Sequence, residues 1–333
     1  MKLKNQNKVL VVGGSGYIGN IVIKYLRNKK FNVTNFDCFI YQKKKMILNK
    51  YNDYKNINII DINKLEKNWK NYNVIIYLAG LVGDPITKKY PKLSYKINLN
   101  ATKEFIEFVN KKKINHFIFV STCSNYGLSN VTKKLTEKSK LKPISLYSKA
   151  KVDIEKYLLK NKNRLNFSFN ILRFATAFGA STRMRFDLTI NQFVKDIYYN
   201  KNVDVYDPDT WRPYCHVKDF ASAIHKVILS SSKINSQVFN IGSNKNNFSK
   251  VQIIELIIKE MKKGKFRILK YSKDKRNYIV DFSKIKKSLN FEPRYSVKYG
   301  IKEIINFLKK KKLAYSKTQK LGNYHIYEKK FDI

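Results

Sequence analysis

Cysteine is nearly absent from this chain. Its three residues, Cys38, Cys123 and Cys215, lie far apart and lack metal-type spacing, which excludes a disulfide framework and a zinc site and leaves free thiols. No metal ligand set is expected. Long apolar runs are missing too: nothing approaches the ~20 residues that a membrane span needs, and Met1 to Asn7 holds no apolar leader core. A cytoplasmic protein without membrane attachment is the expectation. Acidic residues are few, 24 against 68 Lys and Arg, for a formal net charge of +44. Such a charge invites a nucleic-acid reading, yet a groove for phosphates needs clustering. Here lysine is spread over nearly every segment, with only short runs such as Lys43-Lys44-Lys45 and Lys309 to Lys312. That describes a solvated basic surface, favourable to anionic ligands, and no nucleic-acid partner is expected.

What the sequence does hold is alternation. Val9 to Val12 is a short apolar run ending in glycines, and Tyr17 to Asn28 carries apolar residues at helical spacing. Strands are expected at Phe31 to Phe36, Ile57 to Ile60, Val74 to Ala79, His116 to Ser121 and Phe167 to Phe174, with helices near Ala101 to Asn110 and Ser148 to Lys160 between later pairs. Strand and helix in turn argue for an α/β fold built on a doubly wound parallel sheet. With 43% hydrophobic residues, 333 residues bury such a domain and a smaller lobe besides. We divide the chain into 1–178, a 179–312 lobe with a return segment near 238–242, and a 313–333 tail that carries no functional signal.

Gly13-Gly14-Ser15-Gly16-Tyr17-Ile18-Gly19 sits between the first strand and its helix, where missing side chains let the backbone turn tightly against a pyrophosphate and the helix N-terminus offers free N–H groups. Asp37 ends the second strand, roughly 20 residues beyond the turn, where a carboxylate accepts from the adenosine ribose and repels a 2′-phosphate. NAD is therefore favoured over NADP. Tyr147 and Lys151 stand four apart on one helix face, close enough for an ammonium to favour phenolate in a group whose pKa starts near ~10. Tyr147 is the candidate proton carrier, and Lys151 also the candidate holder of the nicotinamide ribose.

Taken with their order along the chain, these motifs resemble those of the extended short-chain dehydrogenase/reductases, the nucleotide-sugar-modifying epimerase/dehydratase family, from Val9 to about Leu308. The resemblance implies a Rossmann-type sheet with a C-terminal substrate-binding lobe, a nucleotide-diphosphate sugar as substrate and a homodimer. It implies an adenine-contacting pair at Asp61 and Ile62, a cofactor wall at Leu78-Ala79-Gly80, and a helix-borne Asn98 beside the cofactor. It assigns Thr122 to the reacting sugar oxygen, with Ser121 as the near alternative. For the substrate it implies Thr176, where the family has Asn, then Asn191, and the arginines Arg212 and Arg276 on the diphosphate. His216 and His225 are read as packing residues.

The segment after Thr122 separates the family's reactions. Sugar 4,6-dehydratases carry an Asp-Glu pair there, decarboxylases a Glu and 3,5-epimerising members a Cys at the second position; this chain has Cys123 and Ser124. Cys123 is read as a packing thiol. Oxidation and re-reduction at C4 with one retained NAD, a C4 epimerase, is the expected chemistry. A 4-ketosugar reductase, a dehydratase or decarboxylase, and a non-catalytic RNA- or protein-binding member of the fold are the alternatives.

Overall fold

The computed structural model describes residues 8–41, 54–269 and 276–326. Lys43-Lys44-Lys45, Asp274, Lys275 and the end of the tail lie outside the described residues. The central sheet has seven parallel strands in the order β10-β6-β5-β4-β1-β2-β3. These are β1 (Lys8–Val12), β2 (Asn32–Asp37), β3 (Tyr54–Asn56), β4 (Val74–Tyr77), β5 (His116–Thr122), β6 (Ser168–Phe174) and β10 (Gln237–Ile241). The order reverses between β1 and β4, and a crevice opens there at the carboxyl ends of the strands. β1 shows why both faces must be covered: Val9 and Val11 enter one apolar core, Leu10 and Val12 the other. Helix α1 (Tyr17–Asn28) and α8 (Val217–Leu229) close the first face. On the opposite face lie α2 (Ile62–Asn68), α5 (Thr102–Asn110) and α6 (Leu146–Lys160).

The expected strand at Ile57 to Ile60 is displaced. β3 ends at Asn56 after pairing with Asn35 to Asp37, and the Asn58 side chain then accepts from Ile60 N at 3.2 Å, closing a turn. The apolar run is real, but Ile57 and Ile59 are buried as loop residues.

The lobe has its own core, built from α7 (Thr189–Tyr198), α9 (Lys250–Met261) and α11 (Val297–Lys311). Beside it lie a three-stranded sheet of β7 (Thr176–Phe178), β9 (Trp211–His216) and β11 (Asn247–Ser249), and a parallel pair, β8 (Val203–Tyr206) with β12 (Phe266–Leu269). β10 carries the chain back to the central sheet by pairing with β6. α3 (Asp84–Lys89), α4 (Pro91–Tyr95), α10 (Ser283–Leu289) and α12 (Tyr315–Gln319) are short connectors. Both histidines named above pack: His225 sits edge-on to Tyr25 and Phe31, and His216 pairs with Glu303 at 2.9 Å under Phe178.

A buried polar network ties α6 to the sheet. Arg173 Nη2 and Nε on β6 donate to Glu155 Oε2 on α6 at 2.6 and 3.0 Å, while Ser121 Oγ and Asn125 Nδ2 donate to Oε1 at 2.5 and 2.8 Å. Both side chains of the ion pair are at most 5% exposed. Glu155→Ala strands a buried guanidinium, so it should cost about 3–5 kcal/mol in urea unfolding. A loss below about 1 kcal/mol would show that solvent reaches the pair.

Candidate active site

The turn after β1 is jammed against β4. Gly13 has φ +83°, and a Cβ there would stand 2.6 Å from Ala79 N. Gly19 is excluded from side chains by its neighbour instead, since a Cβ would meet Gly14 Cα at 2.5 Å. α1 starts at Gly16 with no side-chain cap, so its first N–H groups face the crevice unclaimed by a neighbouring side chain. Asp37 fixes the turn from β2: Ser15 N donates to its Oδ2 at 2.8 Å and Phe39 N to its Oδ1 at 2.7 Å.

Two cavities open here and share a wall. The first, with about 1100 Å³ of atom-free space, is lined by Gly13, Gly16, Tyr17, Ile18, Gly19, Asp37, Leu78, Ala79, Gly80 and Lys151. The second, about 1550 Å³, is lined by Thr122, Thr176, Arg212 and Arg276. Tyr147 lines both. So the residues expected to hold a dinucleotide and those expected to hold a diphosphate sugar fall in adjoining spaces, with the candidate proton carrier between them.

α6 places that tyrosine. Ser145 caps the helix reciprocally with Ser148, which fixes its first turn and hence Tyr147 one residue inside it. Lys151 Nζ donates to Val120 O at 2.8 Å and lies 5.9 Å from the centre of the Tyr147 ring. Burial pushes the Tyr147 phenol up, against the pull of the Arg185 guanidinium. Burial pulls the Lys151 ammonium down to about 7, opposed by the Glu155 carboxylate. Thr122 closes the 3₁₀ turn Cys123–Tyr126 by accepting from Ser124 N at 3.1 Å, and its side chain faces the second cavity. Ser121, the alternative, is spoken for by Glu155.

Four of the residues singled out in the sequence, Asp61, Ile62, Asn98 and Asn191, do not line either cavity. Asp61 caps α2 by accepting from Lys64 N at 2.9 Å, and Ile62 is exposed; the first cavity is walled at this point by Ile57, Asn58 and Ile59. Asn98 sits in a π-helical turn, Lys96–Ala101, where its amide bonds Leu81 N at 2.7 Å and Leu81 O at 2.9 Å. It shapes the loop beside Gly80 and does not line the cavity. Asn191 is fully buried, bonding Gly179 N, Tyr17 Oη and Arg185 O, while its helix neighbour Gln192 faces the second cavity.

Other lining residues escaped the sequence reading. Arg183, Arg185 and Asp187 alternate with Met184 and Phe186 in the bends and turns before α7, and that i, i+2 charge pattern between apolar residues is a readable signal in the sequence. Arg185 forks onto Asp187 at 2.5 Å, and both line the second cavity. Asn323, in the tail that carries no functional signal in the sequence, lines both cavities, and Tyr324 the second. Cys123 is buried in the core, where its thiol donates to Arg173 O. Among the described residues, no His, Cys, Asp and Glu group has metal-binding arrangement, and no helix is long and apolar enough to cross a membrane.

The buried ammonium makes a pH-dependent prediction. Because its folded pKa lies below the ordinary 10.5, Lys151 penalises folding most below about pH 7, and the penalty fades as pH rises toward the unfolded value. Lys151→Met in the ligand-free protein should therefore raise the thermal midpoint more at pH 6 than at pH 9. An equal change at both pH values would locate the strain elsewhere.

The family described as NAD dependent epimerase/dehydratase matches residues 9–242. A UDP-glucuronate 4-epimerase of Thermodesulfobacterium geofontis is 27% identical over 315 residues, covering 90% of this chain and 95% of that one. A dTDP-glucose 4,6-dehydratase of Haemophilus influenzae is 23% identical, covering 90% and 97%. In fold the chain is similar to the UDP-glucose 4-epimerase of Thermotoga maritima solved with UDP-glucose, at a TM-score of 0.82 and 23% identity over 92% of this chain and 99% of that. It is also similar to the UDP-glucuronic acid 4-epimerase of Bacillus cereus solved with UDP-glucuronic acid and NAD, at a TM-score of 0.80 and 23% identity over 91% and 99%. With the family matched across more than half its length, the chain belongs to the NAD dependent epimerase/dehydratases.

Proposed function

We propose that this enzyme inverts C4 of a nucleotide-diphosphate sugar with one retained NAD. The observation that carries the reading is Tyr147 in the wall between the two cavities, with Lys151 behind it and Thr122 across from it. The first cavity fits the cofactor: an uncapped helix N-terminus and a turn without side chains suit a pyrophosphate, and the Asp37 carboxylate suits a ribose diol. Bound there, NAD supplies the acceptor and donor of a hydride.

Everything else is the work of this chain's residues. Tyr147 Oη takes the proton of the sugar hydroxyl as C4 is oxidised and gives it back on reduction. The Arg185 and Arg276 guanidiniums favour the phenolate that burial opposes, and Lys151, behind the ring, adds to them when protonated. Thr122 Oγ1 orients the reacting oxygen. Arg212 and Arg276, which line the second cavity with Thr176, supply guanidiniums for the diphosphate. Arg276 is held for this by Asp84 at 2.8 Å and by Ser124 Oγ at 3.3 Å.

The second cavity also argues against dehydration. Expelling a 6-hydroxyl needs a free acid and a base, yet its carboxylates, Asp84 and Asp187, are both paired with arginines. Cys123 and Ser124 supply no carboxyl in their place. A 4-ketosugar reductase would use the same Tyr147 and Lys151, and cofactor consumption separates it.

Two outcomes are expected. NAD should bind more tightly than NADP, and Asp37→Ala should narrow the gap by removing repulsion of the 2′-phosphate; equal affinities in the unmodified protein, by calorimetry, would refute the assignment. Tyr147→Phe should slow C4 interconversion of UDP-, GDP-, CDP- or dTDP-sugars by on the order of 10²–10⁴-fold with little change in substrate affinity. Stoichiometric loss of NADH with a 4-keto sugar would instead establish the reductase, and unaltered turnover in Tyr147→Phe would remove the tyrosine from the mechanism.

A further inference from the structure

Arg183 stands between β7 and α7, on the lobe side of the crevice, and is 9% exposed. Its Nη2 donates to Asn323 Oδ1 at 2.6 Å and to Gly322 O at 3.3 Å, both in the C-terminal segment. The guanidinium carbon lies 4.7 Å from the centre of the Tyr41 ring, which belongs to the chain just after β2. Asn323 in turn reaches the opposite rim, where its Nδ2 donates to Val82 O at 2.8 Å, and Tyr41 Oη accepts from Val82 N at 2.8 Å. One asparagine of the tail thus joins the lobe to the loop after β4, across the mouth of the first cavity.

Among the described residues no carboxylate pairs with Arg183. Asp187 is taken by Arg185, and the Asp37 oxygens accept from Ser15 and Phe39. Nε and Nη1 of Arg183 donate to nothing among the described residues, so most of its fork is unspent. Leaving a cation so buried without an anion costs several kcal/mol, a cost that a bound anion offsets. Burial, reinforced by Arg185, holds this guanidinium down to about 10. Which anion is decided by the walls: Arg183 lines the first cavity, with Gly13, Gly16 and Asp37, and is not part of the second, whereas Arg185 lines both.

We propose that Arg183, aimed by Asn323, is a pyrophosphate ligand of the cofactor delivered from the substrate lobe, so that the C-terminal segment sets how long the dinucleotide stays bound. The assignment rests on reading the first cavity as the NAD site. It gives the tail a part in the chemistry: an enzyme that oxidises and re-reduces with one cofactor must hold it between half-reactions, and a clasp across the cavity mouth does so.

Binding to the unliganded protein tests this without turnover. Arg183→Met should weaken ADP, ADP-ribose and NAD by on the order of 10–100-fold, the range for a lost charge-assisted hydrogen bond, and leave adenosine within about twofold. Asn323→Ala should speed NAD dissociation, followed by displacement with NADH, and Arg183→Lys should restore part of the ADP affinity. UDP affinity should not change in the Arg183 variants, because that side chain lines the first cavity and not the second. Equal weakening of adenosine and ADP would make Arg183 a structural residue and overturn the proposal. Weakening of UDP with ADP unaffected would hand the arginine to the sugar nucleotide and overturn it as well. If the unmodified protein binds neither ADP nor NAD, the cofactor reading itself falls, and this one with it.

Discussion

The ion pair between Arg173 and Glu155 holds together the parts that the site is assembled from. Glu155 stands on α6 one turn beyond Lys151 and two beyond Tyr147, so the pair fixes the rotation of the helix that presents both. Through Ser121 and Asn125 the same carboxylate grips the end of β5 and the turn that begins at Thr122. Arg173 extends the network to β10, since its Nη1 donates to Tyr126 Oη, which lies 2.7 Å from Asn240 Oδ1. A hydrophobic contact of equal size would bury as much area yet leave the helix free to slide or turn. Directional bonds to a buried charge do not, because each lost partner leaves a charge unsatisfied.

Around this scaffold, charge is distributed by purpose. Among the described residues, most lysines are on the surface, and only Lys151 and Lys195 are buried. The cations of the two cavities are different: Arg183, Arg185 and Arg212 are buried and Arg276 is half-buried, and all four stand where anionic ligands would sit. Arg185 and Arg276 are balanced by Asp187 and Asp84, and Arg183 is held by neutral groups. The surface charge accounts for the composition, and the guanidiniums of the cavities are what the proposed diphosphate recognition rests on.

How much of this was legible depended on how local the cause was. The glycine turn, Asp37, and the Tyr147 and Lys151 spacing are properties of short segments, because each is fixed by a strand end or a helix turn. The order of strands followed from alternation, though the end of β3 did not: an apolar run at Ile57 to Ile59 reads as a strand, and only the pairing with β2 shows that it is a buried loop. Asp61 was misplaced for the same reason. Asn98 and Asn191 carried the right chemistry at the right positions in sequence, but which way a buried amide turns depends on the backbone groups left open around it, and those belong to distant segments. Asn323 had no local signal at all. Its place at the cavity mouth comes from Ile326 docking in the core and Leu321 pairing with Phe186, contacts of long sequence separation.

The central claim is that hydrogen leaves C4 and returns to C4 within one enzyme molecule. A nucleotide sugar carrying deuterium at C4, incubated with the purified protein and no added cofactor until both epimers are present, tests it by mass spectrometry. The account predicts that both epimers keep their deuterium at C4. Loss of the label to water, or dependence of interconversion on cofactor exchanged from solution, would contradict it.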